Sequence, residues 1–236
     1  MRLDKAAALS GMTRTEARRA IASGRVRVKG DPVQDPAAQV APEDVTVDGE
    51  GVQAGEVYVM VHKPAGVLTA TEDRRLPTVM DLLPESVKRR NPGPVGRLDR
   101  DVTGLVLMTT DGQLAHRLIS PRWKAEKVYR ARCQGRLGPA DATGFAAGIE
   151  LSDFTAKPAG MTILEVGDDE SLADVTRTEG KFHQVKRMFA AVGHPLTALK
   201  RIRIGCVALD EALAPGECRA LTADEVDGLK KLCGLS

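Results

Sequence analysis

Short runs of β-branched and apolar residues, bounded by turn-forming residues, constrain the fold of this chain from residue 57 onwards. Six runs predict strands: VYVMV after Glu56, GLVLMT at 104–109, KVYRARC at 127–133, GMTILEV at 160–166, SLADVTRT at 171–178 and LTALKRIRIGCVAL at 196–209. Helices are predicted at TVMDLL, at GQLAHRLI after Asp111, near 140–148, at KFHQVKRMFAAV and at ADEVDGLKKL. Because these elements lack a regular βαβ order, we predict an α+β fold on a mixed, mainly antiparallel sheet.

The first 30 residues carry positive charge that the whole chain, with a net charge of +2, conceals. Eight Lys and Arg against Asp4 and Glu16 give +6, whereas residues 31–56 contain no Lys or Arg. Such a basic segment favours contact with nucleic acid, although a solvated helical face is an alternative. The cations that we expect to face RNA here are Arg2, Lys5, Arg14, Arg18, Arg25 and Arg27.

The chain is expected to form two domains. Thr13 and Glu16 predict a capping box that opens a helix ending near Ala22, and the following RVRVKGD predicts a strand and a turn. A stretch rich in Pro, Gly and acidic residues follows and is typical of a connector. We therefore predict a small domain at 1–52 and a larger α+β domain at 57–236.

Cysteine and histidine spacing gives no sign of a metal site. The four cysteines are scattered without a CxxC pair, and the four histidines show no ligand-like spacing with them. We expect free thiols and no metal. The sequence also shows no signal peptide and no run of about 20 apolar residues, so we expect a cytoplasmic protein that does not bind membranes.

Asp99 stands out as a candidate catalytic residue. It lies in PGPVGRLDRDVTGLVLM, where glycines and prolines precede an apolar strand, so that a loop is expected to hold Asp99 and Arg97 at the rim of the sheet. Arg97 is then available for a phosphate contact. An aspartate that merely caps a turn is the alternative interpretation of this segment alone.

The segment GKFHQVKRMFAAVG predicts an amphipathic helix with Lys186 at the edge of its apolar face. At 100° per residue, His183 and Arg187 point away from the apolar arc, which is formed by Phe182, Val185, Met188, Phe189 and Val192. A half-buried ammonium requires an anionic partner, and we predict that this partner is Asp99. Snorkelling of Lys186 to solvent is the alternative, whereas Arg187 is expected to meet solvent or phosphate.

Aromatic residues make up only 3% of the chain, which draws attention to Tyr129 in the basic strand KVYRARC. A tyrosine among cations can stack on an extruded base while the charges hold phosphates. A core tyrosine is the alternative. Lys200 and Arg201 likewise fit a phosphate-binding strand face, with an ordinary solvated face as an equal alternative.

The motifs together resemble one family. GRLDRDVTGLVLMTTDG is similar to the catalytic signature of the RsuA-type pseudouridine synthases, and HKPAGVLTA, EKVYRA, EGKFHQVKRMFAAVG and LAPGECRALT extend the resemblance over essentially the whole chain. The first 30 residues resemble the S4 RNA-binding domain that these enzymes carry. Within the family, the likeness is greatest to enzymes that act on 16S rRNA of the small ribosomal subunit.

The resemblance implies a role for three residues. Asp99 matches the catalytic aspartate of GRLD, Tyr129 matches the active-site tyrosine of the KxY motif, and Lys186 matches the basic residue that pairs with the aspartate. Because many relatives have Arg where this chain has Lys186, we expect one charge-assisted contact rather than a bidentate pair.

The implied reaction is the isomerisation of a uridine to pseudouridine, which needs no cofactor. The implied partner is ribosomal RNA, specifically 16S rRNA in a small-subunit assembly intermediate, bound by a monomeric enzyme. The same reaction on 23S rRNA is an alternative, as is a non-catalytic rRNA-binding or assembly protein. A carboxylate-dependent hydrolase is a third possibility, but the sequence offers no second placed catalytic acid for it.

Overall fold

A computed structural model describes residues 1–52 and 55–235. The chain forms two compact units, the first comprising Met1–Val57 with Leu83–Pro92 and the second comprising Tyr58–Leu82 with Gly93–Ser236. Within the described residues, no helix is both long and apolar enough to span a bilayer.

The described part of the first unit packs helices against a small antiparallel sheet with strand order β2-β1-β3-β4. Its elements are α1 (Leu3–Ala8), α2 (Arg14–Ala22), β1 (Val26–Val28), β2 (Asp31–Pro32), β3 (Val45–Val47), β4 (Glu50–Gly51) and α3 (Glu85–Lys88). The predicted capping box is present, with Thr13 and Glu16 each accepting from the other's backbone N–H. The core of the unit includes Leu3, Ile21, Val26 and Val45.

The second unit is built on a larger sheet with the strand order β13-β5-β7-β11-β8-β10-β9. In the described residues its strands are β5 (Tyr58–Lys63), β6 (Gly93–Pro94), β7 (Thr103–Thr109), β8 (Lys127–Gln134), β9 (Gly160–Val166), β10 (Glu170–Arg177), β11 (Leu196–Ile204), β12 (Val207–Ala208) and β13 (Cys218–Ala220). The helices are α4 (Gly112–Ile119), α5 (Pro139–Ala147), α6 (Gln184–Ala191) and α7 (Ala223–Leu232).

Strand pairing confirms the predicted α+β fold with a mixed, mainly antiparallel sheet. Strands β7 and β11 pair in parallel, and the other strand pairs of the described sheet are antiparallel. Strand β7 is buried along almost its whole length, as expected for a central strand covered on both faces. On one side, Leu114 and Leu118 of α4 and Leu229 of α7 belong to the core that also contains Leu105.

The helix predicted at TVMDLL is wrong, because this segment forms turns. Prolines at 77 and 84 flank the six residues, which leaves too little chain for a stable helix. The carboxylate of Asp81 instead accepts hydrogen bonds from the backbone N–H (2.7 Å) and the hydroxyl (3.0 Å) of Thr78. Such local side-chain bonding stabilises a turn in place of a helix.

Gly104 permits the close approach of β7 and β11. Its φ is +104°, and a Cβ built there would lie 2.2 Å from the carbonyl oxygen of Arg201. Gly104 and Arg201 are partners in the parallel pairing of the two strands. A larger residue at 104 would therefore strain the backbone and push the strands apart.

We expect Gly104→Ala to destabilise the protein by about 2 kcal/mol or more, because left-handed strain and a backbone clash combine. Gly144→Ala is the matched control, since Gly144 lies inside α5 and a Cβ added there would meet open space. This control should stabilise the protein by about 0.5–1 kcal/mol. Chemical denaturation of both variants measures the difference, and equal stabilities would contradict this account of Gly104.

Candidate functional site

A cleft of about 1170 Å³ lies in the second unit, where the loop before β7 meets the start of α6. The predicted site residues that line it are Arg97, Asp99, Tyr129, Lys186 and Arg201. Residues separated by more than 80 positions in sequence thus meet in one concave site.

Hydrogen bonds from residues of the HKPAGVLTA motif hold the backbone of the loop that carries Asp99. The Thr69 hydroxyl donates to the carbonyl of Leu98 (2.8 Å) and accepts from its N–H (3.1 Å). Lys63, with 0% exposure, donates to the carbonyls of Arg100 (3.1 Å) and Val102 (2.7 Å) and to that of the adjacent proline (3.0 Å). These bonds hold the backbone on either side of Asp99.

Burial lowers the pKa of the Lys63 ammonium to about 8, although the nearby negative charges of Asp101 and Asp99 act in the opposite direction. Burial likewise lowers the pKa of Lys127 to about 8, and this side chain donates to the carbonyl of Leu118 at 2.8 Å. Lys63 was not predicted as part of the site, and Lys127 was predicted only as a cation beside Tyr129, because the pattern of a strand does not show how deeply its ends are buried.

Asp99 lies between two basic side chains of the α6 segment. The Nζ of Lys186 is 3.2 Å from Oδ2 of Asp99, and the Nε2 of His183 is 3.4 Å from Oδ1. The structure therefore brings Lys186 and Asp99 together in the way that the helical pattern predicts. The partly exposed carboxylate keeps access to the cleft.

Lys186 makes its shorter contacts with Asp101, a residue that was not predicted as part of the site. Its Nζ donates to Oδ1 at 2.7 Å and Oδ2 at 2.9 Å of Asp101. Burial lowers the pKa of Lys186, but the bonds to Asp101 and Asp99 outweigh it, so that the pKa is raised. The bond from Lys186 also lowers the pKa of Asp101. Lys186 thus remains charged and bridges two carboxylates.

The predicted orientation of His183 is wrong. Helix α6 begins at Gln184, and His183 precedes it in the left-handed conformation with φ +49°. The 100° spacing that we applied from Lys181 therefore does not hold before Gln184. His183 turns toward Asp99, and Phe182 leaves the apolar arc and is 76% exposed.

Tyr129 lies in the cleft with only 4% exposure and contacts two arginines. The Nη2 of Arg177 donates to the tyrosine hydroxyl at 3.1 Å, and its guanidinium lies 4.9 Å from the ring centroid. Burial acts to raise the pKa of Tyr129, but the positive charges of Arg201 and Arg177 prevail and lower it. Arg177 was not identified from the sequence, since no motif marks it.

Arg201 is not on an exposed phosphate-binding face as predicted. It is 3% exposed, and its Nε donates to the carbonyl of Leu105 at 2.8 Å. The prediction placed the adjacent Lys200 and Arg201 on one strand face, whereas alternation puts Arg201 on the same face as the buried Leu199. Lys200 is half-buried, and Arg97 is exposed beside Asp99.

Arg187 also has a protein partner. Its guanidinium pairs with the carboxylate of Asp153 and donates to the hydroxyl of Ser152 at 3.2 Å. An RNA phosphate would therefore have to compete with Asp153 for this cation.

In the first unit, three of the predicted RNA-facing arginines converge on one buried carboxylate. Arg2 and Arg18 each lie 3.1 Å from an oxygen of Asp4, and Arg14 lies 3.5 Å from it. Asp4 is fully buried, whereas the three guanidiniums remain about half exposed. The hydrogen bond from Arg2 is the largest effect in lowering the pKa of Asp4 to about 2, against the cost of desolvation. Asp4 thus holds three cations together at the surface.

The other three cations of this unit that are predicted to face RNA are exposed. Arg25 forms an ion pair with Asp48, and Arg27 donates to the carbonyl of Gly30 at 3.1 Å. Lys5 is exposed on α1.

Comparison with known proteins identifies the chain. Residues 57–191 match the model of the RNA pseudouridylate synthase family, and residues 1–46 match the S4 domain. The chain belongs to the RNA pseudouridylate synthase family. Its 135 matched residues contain Asp99, Tyr129 and Lys186.

Relatives in this family match nearly the whole chain. The ribosomal small subunit pseudouridine synthase A of Escherichia coli (strain K12) is 45% identical over 96% of this chain and 98% of its own length. The uncharacterized RNA pseudouridine synthase YtzG of Bacillus subtilis (strain 168) is 43% identical over 96% and 97%. A solved pseudouridylate synthase is 36% identical, with a TM-score of 0.67 over 97% of this chain and 99% of that one.

The Asp4 cluster generates a prediction for this pseudouridylate synthase. Because the folded-state pKa of Asp4 is about 2 and the ordinary value is 3.8, its ion pairs stabilise the fold above about pH 4. This contribution is lost as the pH falls towards 2. At pH 7, Asp4→Asn should lower the protection of α1 and α2 amides from hydrogen exchange, because three cations lose their shared anion.

Asp48→Asn is the matched control, since it breaks an exposed Asp–Arg pair of the same unit and should have a smaller effect. The difference between Asp4→Asn and the unaltered protein should shrink between pH 4 and pH 2. Equal protection in the two variants at pH 7 would show that the buried cluster does not stabilise the unit.

Proposed function

We propose that this pseudouridylate synthase converts a specific uridine of 16S rRNA to pseudouridine, with Asp99 as its essential catalytic group. The observation that supports Asp99 most strongly is its position in the cleft between Lys186 and His183, on a loop fixed by Lys63 and Thr69. The ammonium of Lys186 lies within ion-pair distance of the carboxylate on which the chemistry depends.

The reaction exchanges one bond to the sugar for another. The N1–C1′ bond of uridine breaks, the uracil turns in place, and a C5–C1′ bond forms, while C5 loses a proton and N1 gains one. Asp99 serves this chemistry either as a nucleophile at C1′ or as a base at C2′, and both routes start from the ionised carboxylate. Lys186, which bridges Asp99 and Asp101, holds the carboxylate in position.

The target base must leave its stack to reach Asp99. Tyr129 supplies an aromatic ring in the same cleft, and Arg177 and Arg201 surround it with positive charge. We assign Tyr129 to contact with the extruded uracil and the exposed Arg97 to a phosphate of the target strand. Arg187 and Lys200 are assigned to RNA contacts at greater distance from the chemistry.

The first unit is assigned to RNA binding outside the cleft. Its match to the S4 domain and the surface arginines around Asp4 support this assignment. Arginines held in a fixed geometry bind phosphate at a lower entropic cost than freely rotating ones. Lys5, Arg25 and Arg27 are assigned to the same RNA-binding surface.

The choice of 16S rRNA rests on relatives whose names specify the ribosomal small subunit. They include the Escherichia coli enzyme, which matches this chain over nearly its whole length. We extend the proposal to a small-subunit assembly intermediate as the substrate and to a monomeric enzyme in the cytoplasm. Mapping pseudouridine in rRNA from cells with and without the gene tests the target directly, and a site in 23S rRNA would overturn the 16S assignment.

Asp99→Asn should abolish pseudouridine formation, with a loss of at least about 10³-fold, while RNA binding survives. Asp101→Asn is the matched control, because both carboxylates bind Lys186 and only Asp99 is assigned to the reacting sugar. Asp101→Asn should retain measurable turnover, reduced because Lys186 is less well held. Single-turnover assays with purified, folded variants measure both rates.

Substantial turnover by Asp99→Asn, with deamidation to aspartate excluded, would overturn the assignment. So would an equal reduction in turnover in the two variants, since the two carboxylates would then be equivalent.

The RNA-binding role of the first unit predicts a change in salt dependence. Lys5→Gln combined with Arg27→Gln should weaken binding and reduce the slope of log K against log salt by about 1 for each phosphate that the variant no longer neutralises. Lys231→Gln in the last turn of α7 is the control for charge alone. A slope that changes equally per charge in the control would contradict a specific role for the first unit.

A further inference from the structure

The segment between β10 and α6 presents an exposed aromatic ring beside the proposed catalytic carboxylate. Phe182 is 76% exposed, a larger fraction than that of any other large apolar side chain in the described residues. Leaving a phenylalanine ring in water forgoes the stability that its burial would bring. Exposed aromatic rings in RNA-binding proteins commonly serve as stacking surfaces.

The ring of Phe182 is already stacked on one face. The imidazole of His183 lies 3.7 Å from it between centroids, with an angle of 18° between the planes. The same imidazole approaches Asp99, with Nε2 3.4 Å from Oδ1. The Phe182 ring is therefore separated from the carboxylate by one ring, and its position is linked to that of the reacting group.

The backbone around Phe182 is anchored on both sides. Gln184, which is buried, accepts from the backbone N–H of Lys181 at 3.1 Å and from Arg177 at 2.7 Å, and it also donates to Glu179. The ammonium of Lys181 lies 3.6 Å from the ring centroid of Phe154. His183 holds a left-handed backbone conformation, which residues other than glycine seldom adopt. The ring is thus presented to solvent on a fixed support.

Tyr129 and Phe182 differ in what they can contact. Tyr129 is 4% exposed, and the guanidinium of Arg177 lies over its ring. Only a base that enters the cleft could therefore contact it. Phe182 is exposed at the cleft and is separated from Asp99 by His183, so it is accessible to a base that stays outside. We propose that the stacked Phe182–His183 pair forms a second nucleobase subsite, which stacks the base next to the target uridine in the RNA strand.

This subsite rests on the proposed function, because it takes a neighbour of the uridine that Asp99 acts on. When the uridine is extruded, the adjacent base loses its stacking partner, and the subsite supplies a replacement. The neighbour would recover that stacking on Phe182. The ligand is therefore an RNA base, either a purine or a pyrimidine. Selectivity among bases is expected to be weak because every base has a π-face.

The test uses an rRNA fragment on which the unaltered protein forms pseudouridine, with 2-aminopurine placed immediately 5′ or 3′ of the target uridine. In an Asp99→Asn background, binding should quench the fluorescence of 2-aminopurine at one of these two positions. Quenching should disappear in Phe182→Ala and persist in Phe182→Tyr. Phe182→Ala should also weaken RNA binding by about 5- to 150-fold.

Two further variants separate stacking from simple apolar contact. Phe182→Leu keeps an apolar side chain without a π-face and should behave like Phe182→Ala. Leu164→Ala removes an exposed apolar side chain on β9, outside the cleft lining, and should leave quenching and affinity unchanged. Thermal unfolding should be the same in all Phe182 variants, since an exposed ring contributes little to stability.

In the Asp99→Asn background, equal quenching and affinity with and without Phe182→Ala would overturn the subsite, as would undiminished quenching and affinity in Phe182→Leu. Both outcomes leave pseudouridine formation by the unaltered protein intact, and so spare the proposed function. Absence of turnover by the unaltered protein on every rRNA would overturn the proposed function and the subsite with it.

Discussion

The buried ammonium of Lys63 determines the geometry of the site. Removing a cation from water is costly, and here three carbonyl oxygens offset that cost by accepting its hydrogen bonds. Two of these carbonyls belong to Arg100 and Val102, on the loop that carries Asp99. The same interaction that satisfies a buried charge therefore fixes the backbone from which the carboxylate projects, and a rigid backbone is what allows a single carboxylate to be positioned for reaction.

Charge in the cleft is arranged around a shared cation. Lys186 contacts both Asp99 and Asp101, and the more exposed Asp101 forms the shorter bonds. This division leaves Asp99 with a longer contact and with access to the cleft. A cation bound to Asp99 alone would compete more strongly with the substrate for the carboxylate. Asp101 therefore weakens the ion pair between Lys186 and Asp99.

Features set by local periodicity were predictable from the sequence. Most strands, most helices and the approach of Lys186 to Asp99 follow from alternation and helical spacing, because burial repeats with the same period as the backbone. His183 was misplaced for the converse reason, because a left-handed residue before α6 interrupts the helical period. Arg201 was misplaced because the prediction grouped it with the adjacent Lys200, whereas alternation places it on the face of the buried Leu199. Periodicity likewise does not indicate that a cation such as Lys63 is buried, because its burial depends on packing between segments distant in sequence.

The first unit includes a segment that follows β5, the first strand of the second unit, in sequence. The segment Leu83–Pro92 belongs to it, with Arg89 near Glu50 at 3.7 Å and Arg90 donating to the carbonyl of Gly55. During synthesis, the chain up to Val57 emerges without these partners, and 25 residues of the second unit, Tyr58–Leu82, are made before they arrive. The first unit therefore cannot make its contacts with Leu83–Pro92 until elongation has passed well into the second unit.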